Sequence, residues 1–246
     1  METSLNPRYT FESFVVGESN RMAYTTARSV VERPGTQYNP YVICGGKGLG
    51  KTHLMQAVSN EMKRLHPEAK VLYVTSEQFG NEYIDAAQHH KLKEFRIKYR
   101  SLDCLLIDDI HLMIARERLE QELFYTFASL FERNKQVVVS SERPSKKIPP
   151  LDQQMISRLE GGLVVAIGPP DLETRIAILR KNATRGDSQL ADDVLRLIAA
   201  EVTTNVRSLM AALACLTAHR AMSGKPLTVD GARDVLKDAT MEATSL

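Results

Sequence analysis

The segment GGKGLGKT, residues 45–52, constrains the fold of this chain more than any other stretch. Its spacing is that of a phosphate-binding loop, in which glycines let successive backbone N–H groups approach a phosphate chain. Lys51 would supply a cation for the β and γ phosphates, and Thr52 a hydroxyl ligand for Mg²⁺. The apolar run YVIC (41–44) precedes the loop, and a helical pattern follows it. Strand, loop and helix together predict a nucleotide site rather than a chance match.

A second motif, CLLIDD at residues 104–109, places two acids at the end of an apolar strand. Ligands of parallel sheets bind at the carboxyl ends of the strands. Asp108 would therefore hold Mg²⁺, directly or through water, and Asp109 would orient the attacking water as its base.

Apolar runs alternate with helical patterns up to residue 168, which predicts an α/β fold with a parallel sheet covered by helices on both faces. Beyond Gly168-Pro169-Pro170 the strand-like runs stop, and Asp171 and Thr228 are expected helix N-caps. We predict two domains: residues 1–168, a nucleotide-binding α/β domain with an N-terminal strap, and residues 169–246, a small all-helical lid. The predicted strands are 41–44, 70–75, 104–107 at the start of the motif 104–109, 136–142 and 163–167. The helices before the lid include 20–33, 76–88, 89–103, 116–134 and 151–163.

The small net charge limits how strongly the surface as a whole can attract nucleic acid. The formal net charge of the 246 residues is only +2, so any attraction for nucleic acid must be local. The most basic stretch is 89–103, and it is either an amphipathic surface helix with a solvated charged face or a nucleic-acid contact. The aromatic strap at 6–20 would pack across the sheet edge, close over a nucleotide base, or do both.

Cysteine usage and the N-terminus both predict a cytoplasmic protein. Cys44, Cys104 and Cys215 are far apart, which favours buried free thiols in a reducing compartment. The N-terminus has no apolar core of a signal peptide, and no run approaches the length of a membrane span.

Several segments in this order resemble one known family. They are GGKGLGKTHL, TSEQFGNEYIDA, EFRIKYRSLDCLLIDDIH, VVVSSERP, SRLEGGL, PPDLETRIAILRKNA and NVRSLMAAL. Together they are similar to the AAA+ ATPase module of the bacterial replication initiator DnaA family, from about Leu5 to about Asp238. The helix between the phosphate loop and the Asp-Asp strand is typical of the initiator and helicase-loader branch. The resemblance implies a P-loop AAA+ fold that binds ATP or ADP with Mg²⁺.

The resemblance also implies roles for individual residues. Arg158 matches the arginine finger that reaches the γ-phosphate of the neighbouring subunit, and Arg207 matches the lid arginine that senses the γ-phosphate of its own. Asp109 and Glu142 match catalytic positions, Glu142 where the family has a sensor Asp. The expected nucleotide contacts are Gly46, Gly48, Gly50, Lys51, Thr52, His53 and Arg207, with Asn6, Tyr9, Val15 and Val16 in the strap beside the adenine. Ile84, Arg116 and Arg118 match positions that grip single-stranded DNA.

Some residues depart from the family pattern. SRLEGGL has Leu159 and Gly161 where the family has aromatics beside the finger, and Gln154 stands where an arginine is common. Lys47 occupies a loop position that is usually uncharged. These departures concern subunit assembly and the hydrolysis rate. Instead of contacting DNA, Arg118 could form an ion pair with Glu122, one helical turn further along the chain.

The function that these observations predict is an ATP-dependent module of replication initiation. It would hydrolyse ATP slowly, assemble head to tail through the finger and engage single-stranded origin DNA. A helicase loader or regulator of the initiator, acting through protein contacts with the replicative helicase or its loader, is the alternative, and a small-molecule P-loop kinase is a third class. The family's helicase-loading domain and duplex-reading helix-turn-helix domain would flank this module, which is either excised or a stand-alone relative.

Overall fold

The computed structural model describes residues 5–113, 117–142, 153–183 and 190–244. The strands are β1 Tyr41–Cys44, β2 Val71–Thr75, β3 Cys104–Asp108, β4 Gln136–Ser141 and β5 Leu163–Ala166. The helices are α1 Arg21–Glu32, α2 Lys51–Leu65, α3 Ser76–Gln88, α4 Leu92–Arg100, α5 Glu117–Phe131, α6 Gln153–Glu160, α7 Leu172–Ala183, α8 Asp192–Glu201, α9 Val206–Ser223 and α10 Val229–Thr244. Short 3₁₀ turns cover Glu18–Asn20 and Ile110–Met113.

The five strands form one parallel sheet in the order β2-β3-β4-β1-β5. Thr75 pairs with Asp108 at one end of the register, and Cys44 pairs with Ser141. All the carboxyl ends therefore lie along one edge, the edge at which parallel sheets bind ligands. The predicted α/β fold is confirmed.

The strands are apolar on both faces because helices cover both faces. On one face, alternate strand residues such as Val74, Ile107 and Val139 pack in a core with side chains of α3, α4 and α5. On the other face, the buried Tyr41 hydroxyl donates to the Ala23 carbonyl of α1 at 2.7 Å. Runs without polar alternation are typical of such doubly covered parallel strands.

Most of the observed strands and helices differ from their predicted bounds by one or more residues. Asp109 is not part of β3, since its φ of 55° turns the chain out of the extended conformation. The basic stretch 89–103 is helical only within α4, and His90 before it also has a positive φ of 57°. Within the described part of the predicted helix 151–163, α6 covers Gln153–Glu160, and β5 begins at Leu163. The predicted loop at 143–150 lies outside the described residues.

The chain divides into two compact units. The first comprises residues 1–14, 20–46 and 50–167, and the second comprises 15–19, 47–49 and 168–246. Helices α7 to α10 enclose the second unit's own apolar core. The predicted boundary after residue 168 stays a prediction, because compact packing does not by itself establish a folding domain.

Two expected N-caps in the second unit are confirmed. The Asp171 carboxylate accepts from the Thr174 N–H at 2.7 Å, and the Thr228 hydroxyl accepts from the Gly231 N–H at 3.2 Å. Each satisfies a backbone donor that has no partner within its helix.

The cysteine prediction is only partly correct. Cys44 and Cys104 are buried free thiols, and burial raises the pKa of Cys104. Cys215 is half-buried, because it lies on a side of α9 that the second core does not fully cover. Within the described residues, each helix is too short or too polar for a membrane crossing.

Candidate nucleotide-binding site

The phosphate-loop segment forms a tight turn between β1 and α2. Gly48 and Gly50 have φ values of 70° and 100°, in the left-handed region that glycine adopts without strain. A Cβ on Gly45 would stand 2.6 Å from the Ile167 carbonyl oxygen, so the first glycine is needed for close approach. The helix α2 begins at Lys51, directly after the turn, and its first N–H groups point toward the loop.

Lys51 is held inside this turn. Its side chain is buried, and the ammonium donates to the Gly45 carbonyl at 2.8 Å and to the Gly46 carbonyl at 3.0 Å. A lysine on the first turn of α2 thus has its charge fixed against the loop backbone. This is the location that a phosphate-binding cation requires.

Asp108 is the centre of a polar network at the carboxyl end of β3. Its carboxylate accepts from the Thr52 hydroxyl at 2.7 Å and from the Tyr73 hydroxyl at 2.8 Å. The Ser140 hydroxyl of β4 donates to its other oxygen. The pair predicted to hold Mg²⁺, Thr52 and Asp108, is therefore in direct contact, and the oxygen donors suit a hard cation.

Asp109 turns away from the strand at the same edge. Its N–H donates to the Ser140 hydroxyl at 2.8 Å, which holds the positive φ in place. Burial, together with the neighbouring Asp108 carboxylate, raises the pKa of Asp109 above its ordinary value. A half-buried carboxylate with a raised pKa is a candidate general base.

His111 links Asp109 to the predicted sensor residue. Its Nδ1 lies 3.9 Å from an Asp109 oxygen and its Nε2 lies 3.6 Å from an oxygen of Glu142. The Glu142 N–H also donates to Nδ1 at 3.3 Å. One ligand atom from each residue lies within 4.8 Å of the others, so this group could also hold a metal ion. The structure therefore brings Asp109 and Glu142 into one cluster.

The N-terminal strap packs on α1 and α2. The Tyr9 ring stacks on His53 with centroids 4.7 Å apart, and His53 Nε2 lies 3.0 Å from the Ser13 hydroxyl. The Asn60 side chain donates to the carbonyls of Asn6 and Tyr9. His53, Tyr9 and Asn6 are thus brought together, whereas Val15 and Val16 belong to the second unit.

Arg207 lies beside the part of the loop that packs with the second unit. The Val206 N–H donates to the Gly48 carbonyl at 3.0 Å. A Cβ on Gly48 would stand 3.0 Å from the Arg207 Cβ and 2.7 Å from the Asn205 amide oxygen. The predicted lid arginine is therefore adjacent in space to a predicted phosphate-loop glycine.

Arg158, the predicted finger, stacks on an aromatic ring of its own chain. Its guanidinium lies 4.8 Å from the Phe124 ring centroid. Leu159 beside it is fully buried in the core, so a family aromatic is replaced by an apolar side chain that still packs. A Cβ on Gly161 would meet only ordinary contacts, and nothing in the structure requires glycine there.

The predicted DNA-binding residues Ile84 and Arg118 lie on α3 and α5, two helices that also contribute to the lining of a small cleft. The cleft encloses about 300 Å³. Its described lining comprises Ser76, Glu77, Gly80, Asn81, Leu112, Met113 and Leu119. Ile84 is one turn beyond Gly80 on α3 and is partly exposed, and the exposed Arg118 precedes Leu119 on α5. Arg116 lies outside the described residues. Neither Ile84 nor Arg118 is among the described lining residues, so their part in DNA binding stays a prediction.

The alternative role for Arg118 is wrong among the residues that the structure describes. Glu122 is 4% exposed and its carboxylate is engaged by Arg96 and Arg100 of α4, not by Arg118. Lys98 of the same helix pairs with Glu82 at 2.7 Å. Much of the basic stretch is thus committed to intramolecular ion pairs.

Sequence reasoning missed two residues that position the carboxylate of Asp108. Tyr73 and Ser140 lie on β2 and β4, the strands on either side of β3. Their distance from Asp108 along the chain gives no signal. Only the strand order, which the sequence does not state, brings them together.

Comparison with known proteins identifies the relatives of this chain. The family described as bacterial DnaA ATPase domain matches residues 5–166. Domain III of the Thermotoga maritima replication initiation protein DnaA is 42% identical, with a TM-score of 0.92 over 96% of this chain and 98% of that one.

Two further structures are similar at 34% identity and a TM-score of 0.80, with 86% of this chain covered. One is the replication initiator DnaA bound to AMPPCP and single-stranded DNA, and the other is AMPPCP-bound DnaA from Aquifex aeolicus. This chain spans 65% of each of these two chains.

Proposed function

This chain belongs to the bacterial DnaA ATPase domain family, and we propose from that membership that it is an ATP-dependent module of replication initiation. It binds ATP, assembles head to tail with further copies and engages single-stranded DNA in the cytoplasm. The observation that carries the proposal is the contact between the Thr52 hydroxyl of the phosphate loop and the Asp108 carboxylate of β3. It joins a phosphate-binding turn to a metal-binding carboxylate.

The residues at the strand edge fit a nucleotide with its magnesium ion. Lys51 and the N-terminus of α2 would bind the β and γ phosphates, and Thr52 and Asp108 would hold Mg²⁺. When bound, that ion neutralises charge on the phosphates. Tyr73 and Ser140 fix the Asp108 carboxylate by hydrogen bonds, so it is oriented before ligand arrives.

Hydrolysis would depend on Asp109. Its half-buried carboxylate is held by its own backbone contact with Ser140, and it would accept a proton from a water molecule aligned with the γ-phosphate. His111 bridges Asp109 to Glu142 and would keep both side chains at the same edge. Slow turnover suits a switch, in which the bound nucleotide sets the state of assembly.

Assembly would depend on Arg158. An arginine finger that contacts the neighbour's γ-phosphate makes ATP part of the interface between subunits. ADP lacks the γ-phosphate, so it cannot form that contact. Such a head-to-tail contact is heterologous and extends into an open helix unless its rotation closes. Fingers supplied in trans accelerate phosphoryl transfer by about 10³–10⁵-fold in other systems. The stacking of Arg158 on Phe124 keeps the guanidinium on the surface of α5, where a neighbour can reach it.

Binding of single-stranded DNA would use Ile84 and Arg118, on the two helices that contribute to this cleft. An exposed apolar side chain and an exposed cation would suit a sugar and its phosphate. Arg118 is available for that contact, since Glu122 is fully engaged by α4.

A mixing experiment tests the trans finger. Lys51→Ala removes the nucleotide cation but leaves the finger, and Arg158→Ala removes the finger but leaves the nucleotide site. Each variant alone should hydrolyse ATP poorly, and an equimolar mixture should recover activity at interfaces where an intact finger meets an intact site. Arg21→Ala, an exposed arginine on α1, is the matched control for Arg158→Ala. Recovery no greater than the sum of the separate variants would contradict a finger acting between subunits.

A further inference from the structure

A second cleft lies on α4 and the end of α5. It encloses about 440 Å³. Its described lining comprises Lys93, Arg96, Ile97, Arg100, Ser101 and Arg133. Four of these six side chains are cations, and no acidic side chain is among them. On a chain whose net charge is only +2, such a cluster is a strong local positive field.

The cleft is separate from the nucleotide and DNA sites. Arg100 and Ser101 come shortly before β3, and Arg133 comes shortly before β4, so the cleft lies toward the amino ends of these strands. Thr52 and Asp108 lie at the carboxyl end. A five-residue strand is about 16 Å long, so neither phosphates at the loop nor DNA near Arg118 would occupy this cleft.

Two of the four cations, Arg96 and Arg100, are oriented by hydrogen bonds to the buried carboxylate of Glu122 on α5. Arg96 donates through Nε and Nη2 to Glu122, and Arg100 donates through Nη2 at 2.6 Å. Burial alone would raise the pKa of Glu122, but these hydrogen bonds hold it below its ordinary value. A guanidinium has five N–H donors in a planar fork, so donors remain after this contact. The buried Nε–H of Arg100 has no hydrogen-bond partner in the described part of the chain.

The other lining residues suit an amphipathic ligand. Lys93 has no ion pair within the described residues, and the Arg133 side chain, just after α5, donates through Nε to the Ser129 carbonyl. Ile97 is 58% exposed in the middle of these cations. An exposed isoleucine beside three arginines and one lysine offers an apolar contact within a positively charged cleft.

We propose that this cleft binds an acidic segment of a partner protein, with carboxylates on Arg100, Arg133 and Lys93 and an apolar side chain on Ile97. Guanidinium forks match carboxylates in geometry, and a shallow cleft with one apolar centre fits a short peptide. Nucleic acid is the weaker fit, since single strands bind by stacking on aromatic rings and the described lining has none.

Fluorescence anisotropy with the full chain tests the proposal. The probe is a short fluorescein-labelled peptide rich in glutamate with a central leucine, and the competitor is an unlabelled single-stranded oligonucleotide. The double variant Lys93→Glu, Arg133→Glu spares the Glu122 network and should weaken peptide binding by on the order of tenfold or more. Ile97→Asn should weaken it by a smaller factor, and both should leave binding of an ATP analogue unchanged.

The matched control is Lys63→Glu, Lys225→Glu, which makes the same change of charge at exposed lysines outside the cleft. It should bind the peptide as the wild type does. Equal weakening by both double variants would mean attraction to net charge alone, and would overturn the proposal. Absence of peptide binding, or loss of oligonucleotide binding in the cleft variant with peptide binding intact, would overturn it as well.

Discussion

Replacing Glu122 with glutamine removes a buried negative charge from between two arginines. The carboxylate accepts from Arg96 Nη2 at 2.8 Å and from Arg100 Nη2 at 2.6 Å. A glutamine amide has one oxygen, and its NH₂ group would face guanidinium donors. The substitution therefore leaves both arginines without their charged partner and breaks the link between α4 and α5.

The size of the loss follows from burial. Removing one partner of a fully buried ion pair costs about 3–5 kcal/mol. Here Glu122 is 4% exposed, but the side chains of Arg96 and Arg100 are 48% and 30% exposed and can regain water. After that discount we expect the free energy of unfolding to fall by about 2–3 kcal/mol. For a chain of this size the melting temperature would fall by about 4–12 °C.

The stability that Glu122 contributes should decrease as the pH falls. Glu122 has a folded-state pKa below its ordinary value of 4.5. A carboxylate with a lowered folded pKa contributes its full stability above the unfolded value and loses it as pH falls through the folded value. The difference in stability between the wild type and Glu122→Gln should therefore be constant near neutral pH and shrink below about pH 4.

Near-ultraviolet circular dichroism of the tyrosines is the assay. All eight tyrosines lie between residues 9 and 125, in the first compact unit, and the chain has no tryptophan. Glu61→Gln is the matched control, since Glu61 also contacts two arginines, but Arg28 is 3.9 Å away and 41% exposed and Arg64 is 66% exposed. The reasoning is refuted if Glu122→Gln costs no more than Glu61→Gln, or if its cost does not change in acid.

Two further substitutions test the site and the backbone. Asp109→Asn should keep ATP binding and abolish phosphate release. In the wild type, the rate of ATP hydrolysis should fall as pH drops through the raised pKa of Asp109, since only the ionised carboxylate is a base. A pH-independent rate in acid would exclude that role. Gly162→Ala would set a Cβ 1.9 Å from the Pro40 carbonyl oxygen and should destabilise the fold by about 1–3 kcal/mol in thermal unfolding. Gly161→Ala, with ordinary contacts, should leave stability unchanged, and an equal loss in both would contradict the steric argument.

The parts of the fold set by local pattern could be predicted from the sequence. The spacing of residues 45–52 and the apolar run before Asp108 each depend on neighbours within a few positions. Apolar strands without alternation predicted a doubly covered sheet, because a strand open to water on one face needs polar residues there. Asp171 and Thr228 were predictable as caps since a cap acts within one helical turn.

The parts set by distant contacts could not be predicted. Tyr73 and Ser140 reach Asp108 only through the order of the strands. An ion pair between Glu122 and Arg118 of the same helix was one of two interpretations of the sequence, whereas arginines of the neighbouring helix α4 contact both of its oxygens. Once helices pack together, a carboxylate can pair with cations of a neighbouring helix as well as with the cation one turn away on its own helix. The same effect engages Arg96, Lys98 and Arg100 of the predicted basic face in intramolecular ion pairs.

Anisotropy of a labelled single-stranded oligonucleotide tests the central claim most directly. The chain is titrated in a non-hydrolysable ATP analogue and in ADP, at two salt concentrations. We expect tight binding only in the ATP analogue, lost in Arg158→Ala and in Arg118→Ala and kept in Arg21→Ala. The affinity should fall with salt, by a slope of about 0.7 per phosphate contacted. Equal binding in the two nucleotides would contradict nucleotide-gated engagement of DNA by this chain.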